Sequence, residues 1–215
     1  MNEILNLENP VFRFIRKAME SAYLNILWLI TSLPIVTCGA ATTALFYVLF
    51  KMINDEEGNI TKQFFAAFRS NFRQSTKAWL IMLAAGLVLA LDGYVTYHLQ
   101  PDSIFWTMIS SFLIVAAVLW IFVMLYLFPL MSRFENSLLQ TFKNSMVLSI
   151  RFLLCSVMMA AIHIAMAAAV IFWFTPLIVF GFGTASMLCC YLLRNIFTMM
   201  RSGQMPEPAM FRKQK

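Results

Sequence analysis

Charge is what this 215-residue sequence has least of: 12% of its residues are Asp, Glu, Lys or Arg, while 61% are hydrophobic. Soluble domains carry about 25% charged residues. A separate water-facing domain is therefore excluded, and a mean hydropathy of +0.76 places the whole chain, 1–215, in one membrane domain. The short motifs of chemistry are missing too. There is no Walker loop, no H-E-x-x-H, no G-x-S-x-G and no pair of catalytic carboxylates. The expectation is a protein that is not an enzyme, with no catalytic residue, no cofactor and no metal. Cys38, Cys155, Cys189 and Cys190 lie in or beside apolar segments without C-x-x-C spacing. They read as small apolar packing residues rather than disulfide partners or zinc ligands.

What is present is long apolar runs. A spanning helix needs about 20 apolar residues, and residues 78–99, 104–128, 152–174 and 177–197 each supply them. The run from Ala22 to Phe50 is too long for one span, and Pro34 and Gly39 interrupt it. Pro34 cannot donate a backbone hydrogen bond and disfavours helix at Leu33. Gly39 permits turn conformations closed to other residues. The spacing predicts a hairpin turn, with helices near 14–33 and 39–54; the second is short enough either to span or to re-enter.

The net charge of +6 does not point to nucleic acid, because of where the basic residues fall. They form four clusters: Arg13 to Lys17, Lys51 to Lys77, Arg133 to Arg151, and Arg194 to Lys215. If 22–50 is a hairpin, all sixteen lie on one side, and the connections Pro34–Gly39, Gln100–Ser103 and Thr175–Pro176 carry none. The positive-inside rule then puts both termini in the cytoplasm. The predicted fold is an all-α polytopic membrane bundle of about six transmembrane helices, arranged as three hairpins. Asn9 before Pro10 reads as an N-cap with proline at the first helical position. Two basic segments, 61–76 and 133–149, read as cytoplasmic interfacial amphipathic helices. "AFRSNF" at Ala67 and "TFKNSM" at Thr141 line up as one trace of an internal repeat. The polar tail 202–215 reads as disordered.

Three polar residues stand inside the apolar runs. Asp92 falls near the outer end of its span, where an acid reaches headgroups or binds a proton or solute. His163, mid-span with Met159 and Met166 on its face, is expected to be a neutral histidine hydrogen-bonded in the bundle; a proton relay or ligand role is the alternative, and copper on these soft ligands is disfavoured because coincidences among 16 Met residues are expected. Asn25 is expected to bond a neighbouring helix. Ala161, Ala165 and Ala169, and Gly86 with Ala90, form small-residue rows that let helices approach. On the first basic segment, Phe64, Phe68, Phe72, Arg69 and Arg73 form the candidate interaction surface.

The stretches "ENPVFRF", "LNILWLITSLPIVTCGAATTAL", "FFAAFRSNFRQST", "FPLMSRFENSLLQTFKNS" and "FGFGTASMLCCYLL" resemble the YesL-like family of bacterial membrane proteins, a domain of unknown function (624). Leu24, Asn25, Trp28, Leu33, Pro34, Thr37 and Gly39 carry the most specific part of the likeness. The resemblance implies a bacterial plasma-membrane location. It also implies a setting beside carbohydrate ABC importers and glycan-degrading enzymes, and assigns no ligand residues. The expected role is an accessory or regulatory component of carbohydrate ABC import, its partners the bilayer and the importer's permease subunits. The alternatives are a small homo-oligomeric solute transporter and a membrane-surface sensor or scaffold.

Overall fold

Pro34 adopts an extended backbone (φ −74°, ψ 115°) and stops the first helix at Ser32, two residues earlier. The Thr37 hydroxyl closes the turn, lying 2.6 Å from the Thr31 carbonyl and 2.8 Å from that of Pro34. This computed structural model describes residues 10–56, 58–99, 104–172 and 178–201. Among them the elements are α1 (Pro10–Ser32), a 3-10 turn (Ile35–Thr37), α2 (Cys38–Ile53), α3 (Ile60–Leu99), α4 (Ile104–Arg133), α5 (Leu138–Arg151), α6 (Leu153–Phe172) and α7 (Ile178–Arg201). The predicted cap Asn9, the connections 100–103 and 175–176, and the tail 202–215 lie outside the described residues.

Two helices joined by this short turn form a hairpin. α1 and α2 run antiparallel, tied near the tip by Trp28 Nε1 donating to Thr42 Oγ1 (3.0 Å) and at the far end by Lys17 Nζ to Asp55 Oδ1 (2.9 Å). Gly39 has a different job from the one expected. It is not in a turn but in the first turn of α2. A Cβ there would stand 2.5 Å from Trp79 Cβ and 2.6 Å from the Ser75 carbonyl oxygen. Its lack of a side chain lets α2 and α3 touch.

α2 is the central helix. Thirteen of its 16 residues are buried, and it packs against α1, α3, α4 and α7. A helix that is apolar all round is either lipid-bathed or surrounded by protein; α2 is surrounded by protein.

α3 overturns a larger expectation. The predicted surface helix 61–76 and span 78–99 are one unbroken helix of 40 residues. Between Ile60 and Ala85 there is neither Gly nor Pro, so nothing lets the chain bend from a membrane surface into a span. Its first half lies along α2, with Ser75 Oγ 2.9 Å from Thr43 Oγ1 and Trp79 Nε1 donating to the Ile35 carbonyl at 2.7 Å. The α1–α2 tip therefore sits level with Lys77. The sequence reading set these two on opposite faces of a bilayer, about 30 Å apart.

The count of six spans is not reproduced either. Among the described residues, four helical stretches are long and apolar enough to cross a membrane: Ile35–Ile53, Ile60–His98, Ile104–Arg133 and Leu153–Phe172. α1 is not among them; Arg16, Lys17 and Glu20 interrupt it.

The second amphipathic helix is shorter than expected and turned over. α4 continues through Pro129 to Arg133, and α5 starts only at Leu138, where Ser137 and Gln140 form a capping box. α5 buries Thr141, Asn144, Ser145 and Ser149 and exposes Leu139, Met146, Val147 and Ile150. Phe134, Leu138 and Phe142, at spacing four, pack against the core. The proposed repeat diverges at the same place: α3 passes Lys77 without a break, whereas the chain breaks at Phe152 (φ −111°, ψ 49°) after Arg151.

Candidate functional site

On α3 the buried stripe is Phe64, Ala67, Ser75, Ala78 and Met82. Phe64 is fully buried, so it belongs to the core and not to the interaction surface for which its spacing nominated it. Phe68 is half-buried and stacks beside Phe64 at 6.3 Å. Phe72 (5.4 Å from Phe68), Arg69 and Arg73 are exposed. Phe65, which shares the helical spacing but is not among the candidate surface residues, is exposed with them, because residues seven apart, 65 and 72, return to one face. Phe65, Phe68, Arg69, Ser70, Phe72 and Arg73 line a shallow groove. Two guanidinium groups one turn apart among aromatic rings suit carboxylate or phosphate oxygens, which Arg binds through paired N–H donors.

The three polar residues of the apolar runs do not form one site. Asn25 is wholly buried, and its Oδ1 accepts the Gly183 N–H at 3.1 Å, joining α1 to α7. Gly183 leaves room for this: a Cβ would lie 2.8 Å from the Ser21 carbonyl oxygen and 2.9 Å from Asn25 Cβ. Truncating Asn25 to alanine should cost about 1–3 kcal/mol by leaving that N–H unpaired, read as a lower unfolding midpoint in detergent.

His163 is half-buried between α6 and α7, its Nδ1 2.9 Å from the Met159 carbonyl oxygen and its ring 5.7 Å from Phe182. A carbonyl only accepts, so this contact is a hydrogen bond in the tautomer that carries its proton on Nδ1. Cys189 Sγ lies 3.7 Å from the same Nδ1. Asp92 stands exposed on the far half of α3, on a different element from His163 and its neighbours. Trp28 stacks on Phe182 at 4.3 Å and completes the α1–α7 seam. The small-residue rows divide: Gly86 receives the Trp120 ring, whose Nε1 donates to the Met82 carbonyl at 2.9 Å, whereas Ala161 and Ala165 are exposed.

Cationic groups gather at the opposite end from the tip. Arg133 lies over the Phe50 ring (4.8 Å), Lys51 over Tyr47 (5.0 Å), and Arg194 Nη1 reaches the Ile53 carbonyl (3.5 Å).

All-helical architecture, helices apolar enough to cross a bilayer, and cations gathered at helix ends are the features of a polytopic membrane protein. Residues 21–93 match the family described as protein of unknown function, DUF624. Over 210 residues the chain is 28% identical to the uncharacterized protein YesL of Bacillus subtilis (strain 168), covering 96% of this chain and 98% of that one. It is 25% identical over 160 residues to the uncharacterized protein YteU of the same organism, covering 73% and 71%. The chain is thus similar to this YesL-like family over residues 21–93, and to these two relatives over most of its length. No solved structure matches it.

Proposed function

We infer that this protein is a non-enzymatic accessory or regulatory subunit of a bacterial plasma membrane, acting beside a carbohydrate ABC importer with its termini in the cytoplasm. The observation that carries this reading is the exposed groove on α3, where Phe65, Phe72, Arg69 and Arg73 face outward from the half of the helix that lies along α2. Arginine and aromatic residues are the types that dominate protein interfaces. The genomic setting implied by the YesL-like resemblance supplies the class of partner. The homo-oligomeric transporter is the weaker reading, because Asp92 and His163, its two candidate proton carriers, stand on different parts of the fold.

Purification from native membranes of cells grown on complex glycans tests this. Permease subunits should co-purify with the wild-type chain, and the Arg69→Glu, Arg73→Glu double variant should recover at least ten times less of them. Equal recovery by the double variant would sink the role given to this face. Association that depends only on anionic lipid would favour the sensor reading.

A further inference from the structure

We propose that the α1–α2 hairpin does not cross the bilayer, and that its tip, Leu33 to Val36, rests on the cytoplasmic leaflet at the point where α3 enters the membrane. This holds whether or not the α3 groove binds an importer.

The level of the tip is fixed by contacts already described. Trp79 holds the Ile35 carbonyl, and Gly39 lies against Trp79 and Ser75. Beyond Trp79, α3 leaves α2 behind and continues for 20 residues, to Leu99, or about 30 Å at 1.5 Å per residue. That equals the hydrocarbon thickness of a bilayer, about 30 Å. α4 returns alongside it, with Trp120 seated on Gly86. Above the Trp79 level this pair exposes large apolar side chains to its surroundings, among them Leu87, Leu91, Phe112 and Val115. Lipid satisfies such a surface.

Charge draws the same boundary. From Ala78 to Ser132 the chain has no Lys or Arg. Below Trp79, Lys62, Arg69, Arg73 and Lys77 are all exposed on α3. If α2 spanned the bilayer, the α3 segment beside it would carry Arg69 and Arg73 through the hydrocarbon and Lys77 to its far edge. Each arginine would cost about 2.5–3.5 kcal/mol at the bilayer centre on insertion scales. Aromatic residues mark both edges: Trp79 at one, and the exposed Tyr94 and Tyr97 toward the other, with about 27 Å between residues 79 and 97.

α2 has no need of lipid, since protein surrounds it. The tip does need an apolar or interfacial neighbour: Leu33 is 80% and Ile35 68% exposed, with Val36 exposed beside them. An amphipathic tip level with Lys77 meets the anionic inner leaflet, apolar side chains inward and cations at the headgroups.

Single cysteines test this in the full-length chain with its four native cysteines replaced by serine. Ile35→Cys, Lys62→Cys and Asp102→Cys are exposed to a membrane-impermeant maleimide, added outside intact cells or to inverted vesicles. Asp102→Cys should label from outside. Lys62→Cys and Ile35→Cys should label only in inverted vesicles, at least ten times faster than in intact cells. Labelling of Ile35→Cys from outside, at a rate like that of Asp102→Cys, would overturn the proposal. So would labelling from neither side that appears only in detergent, since the tip would then be buried in hydrocarbon. If the serine-substituted chain does not accumulate, the same three substitutions in the native background, read as labelling above parent, give the same decision.

Discussion

Gly39→Ala will lower the midpoint of thermal unfolding in detergent, while Gly93→Ala, in the far half of α3, will leave it unchanged or raise it. Both positions are helical, so alanine gains about 1 kcal/mol of helix propensity at each. They differ in what the new methyl meets. At Gly93 there is nothing within 4 Å. At Gly39 the methyl would meet Trp79 Cβ at 2.5 Å and the Ser75 carbonyl oxygen at 2.6 Å. One is a side-chain stem and the other backbone, and neither can rotate aside. α2 and α3 must part, which stretches the Ser75–Thr43 and Trp79–Ile35 hydrogen bonds. Overpacking costs about 1–3 kcal/mol and each weakened hydrogen bond about 0.5–1.5 kcal/mol, so the propensity gain is outweighed. A Gly39→Ala protein as stable as wild type would mean that the helices are not in contact there, and the level assigned to the hairpin tip would lose its main support.

Part of the local punctuation was legible in the sequence. Pro34 ended α1, because proline acts within a few residues; the Ser137–Gln140 capping box was not read, and it starts α5 later than the 133 expected. The existence of the α1–α2 hairpin followed from charge, since the basic residues avoid the tip. Its depth did not. Apolarity says that a helix avoids water, not whether lipid or protein takes the place of water. Cys38–Ile53 is apolar all round because four other helices surround it, and a hydropathy window reads that identically to a span.

The interaction surface failed for a related reason. Phe64, Phe68 and Phe72 share a spacing of four, but an α-helix turns every 3.6 residues, so a row of fours drifts from the buried face at Phe64 to the exposed face at Phe72. Phe65 and Phe72, seven apart, stay together. Asn25 was legible as a buried polar group needing a partner. Its partner is a backbone N–H at Gly183, which no side-chain pattern in the sequence could have supplied.

Phe50→Ala offers the sharpest test of α2 as a protein-enclosed helix. Phe50 is 1% exposed, with the Phe197 ring at 5.5 Å and the Arg133 guanidinium at 4.8 Å. Removing a buried phenyl ring costs about 3–5 kcal/mol through lost transfer energy and the cavity left behind. Here the cavity opens where α2, α4 and α7 meet, so relaxation of one helix cannot fill it. Phe50→Leu keeps most of the volume and should cost less than about 1.5 kcal/mol. Arg133→Gln removes the cation and keeps the ring; a cation–π contact at an exposed site contributes about 0.5–1 kcal/mol. The expected order of unfolding midpoints in detergent is therefore wild type, then Arg133→Gln and Phe50→Leu close together, and Phe50→Ala far below. A lipid-facing phenylalanine would behave differently, because acyl chains refill the space and truncation opens no cavity. A Phe50→Ala midpoint no lower than that of Arg133→Gln would place this side chain against lipid. α2 would then be the span that its composition resembles, and the one-sided hairpin would be refuted from inside the fold.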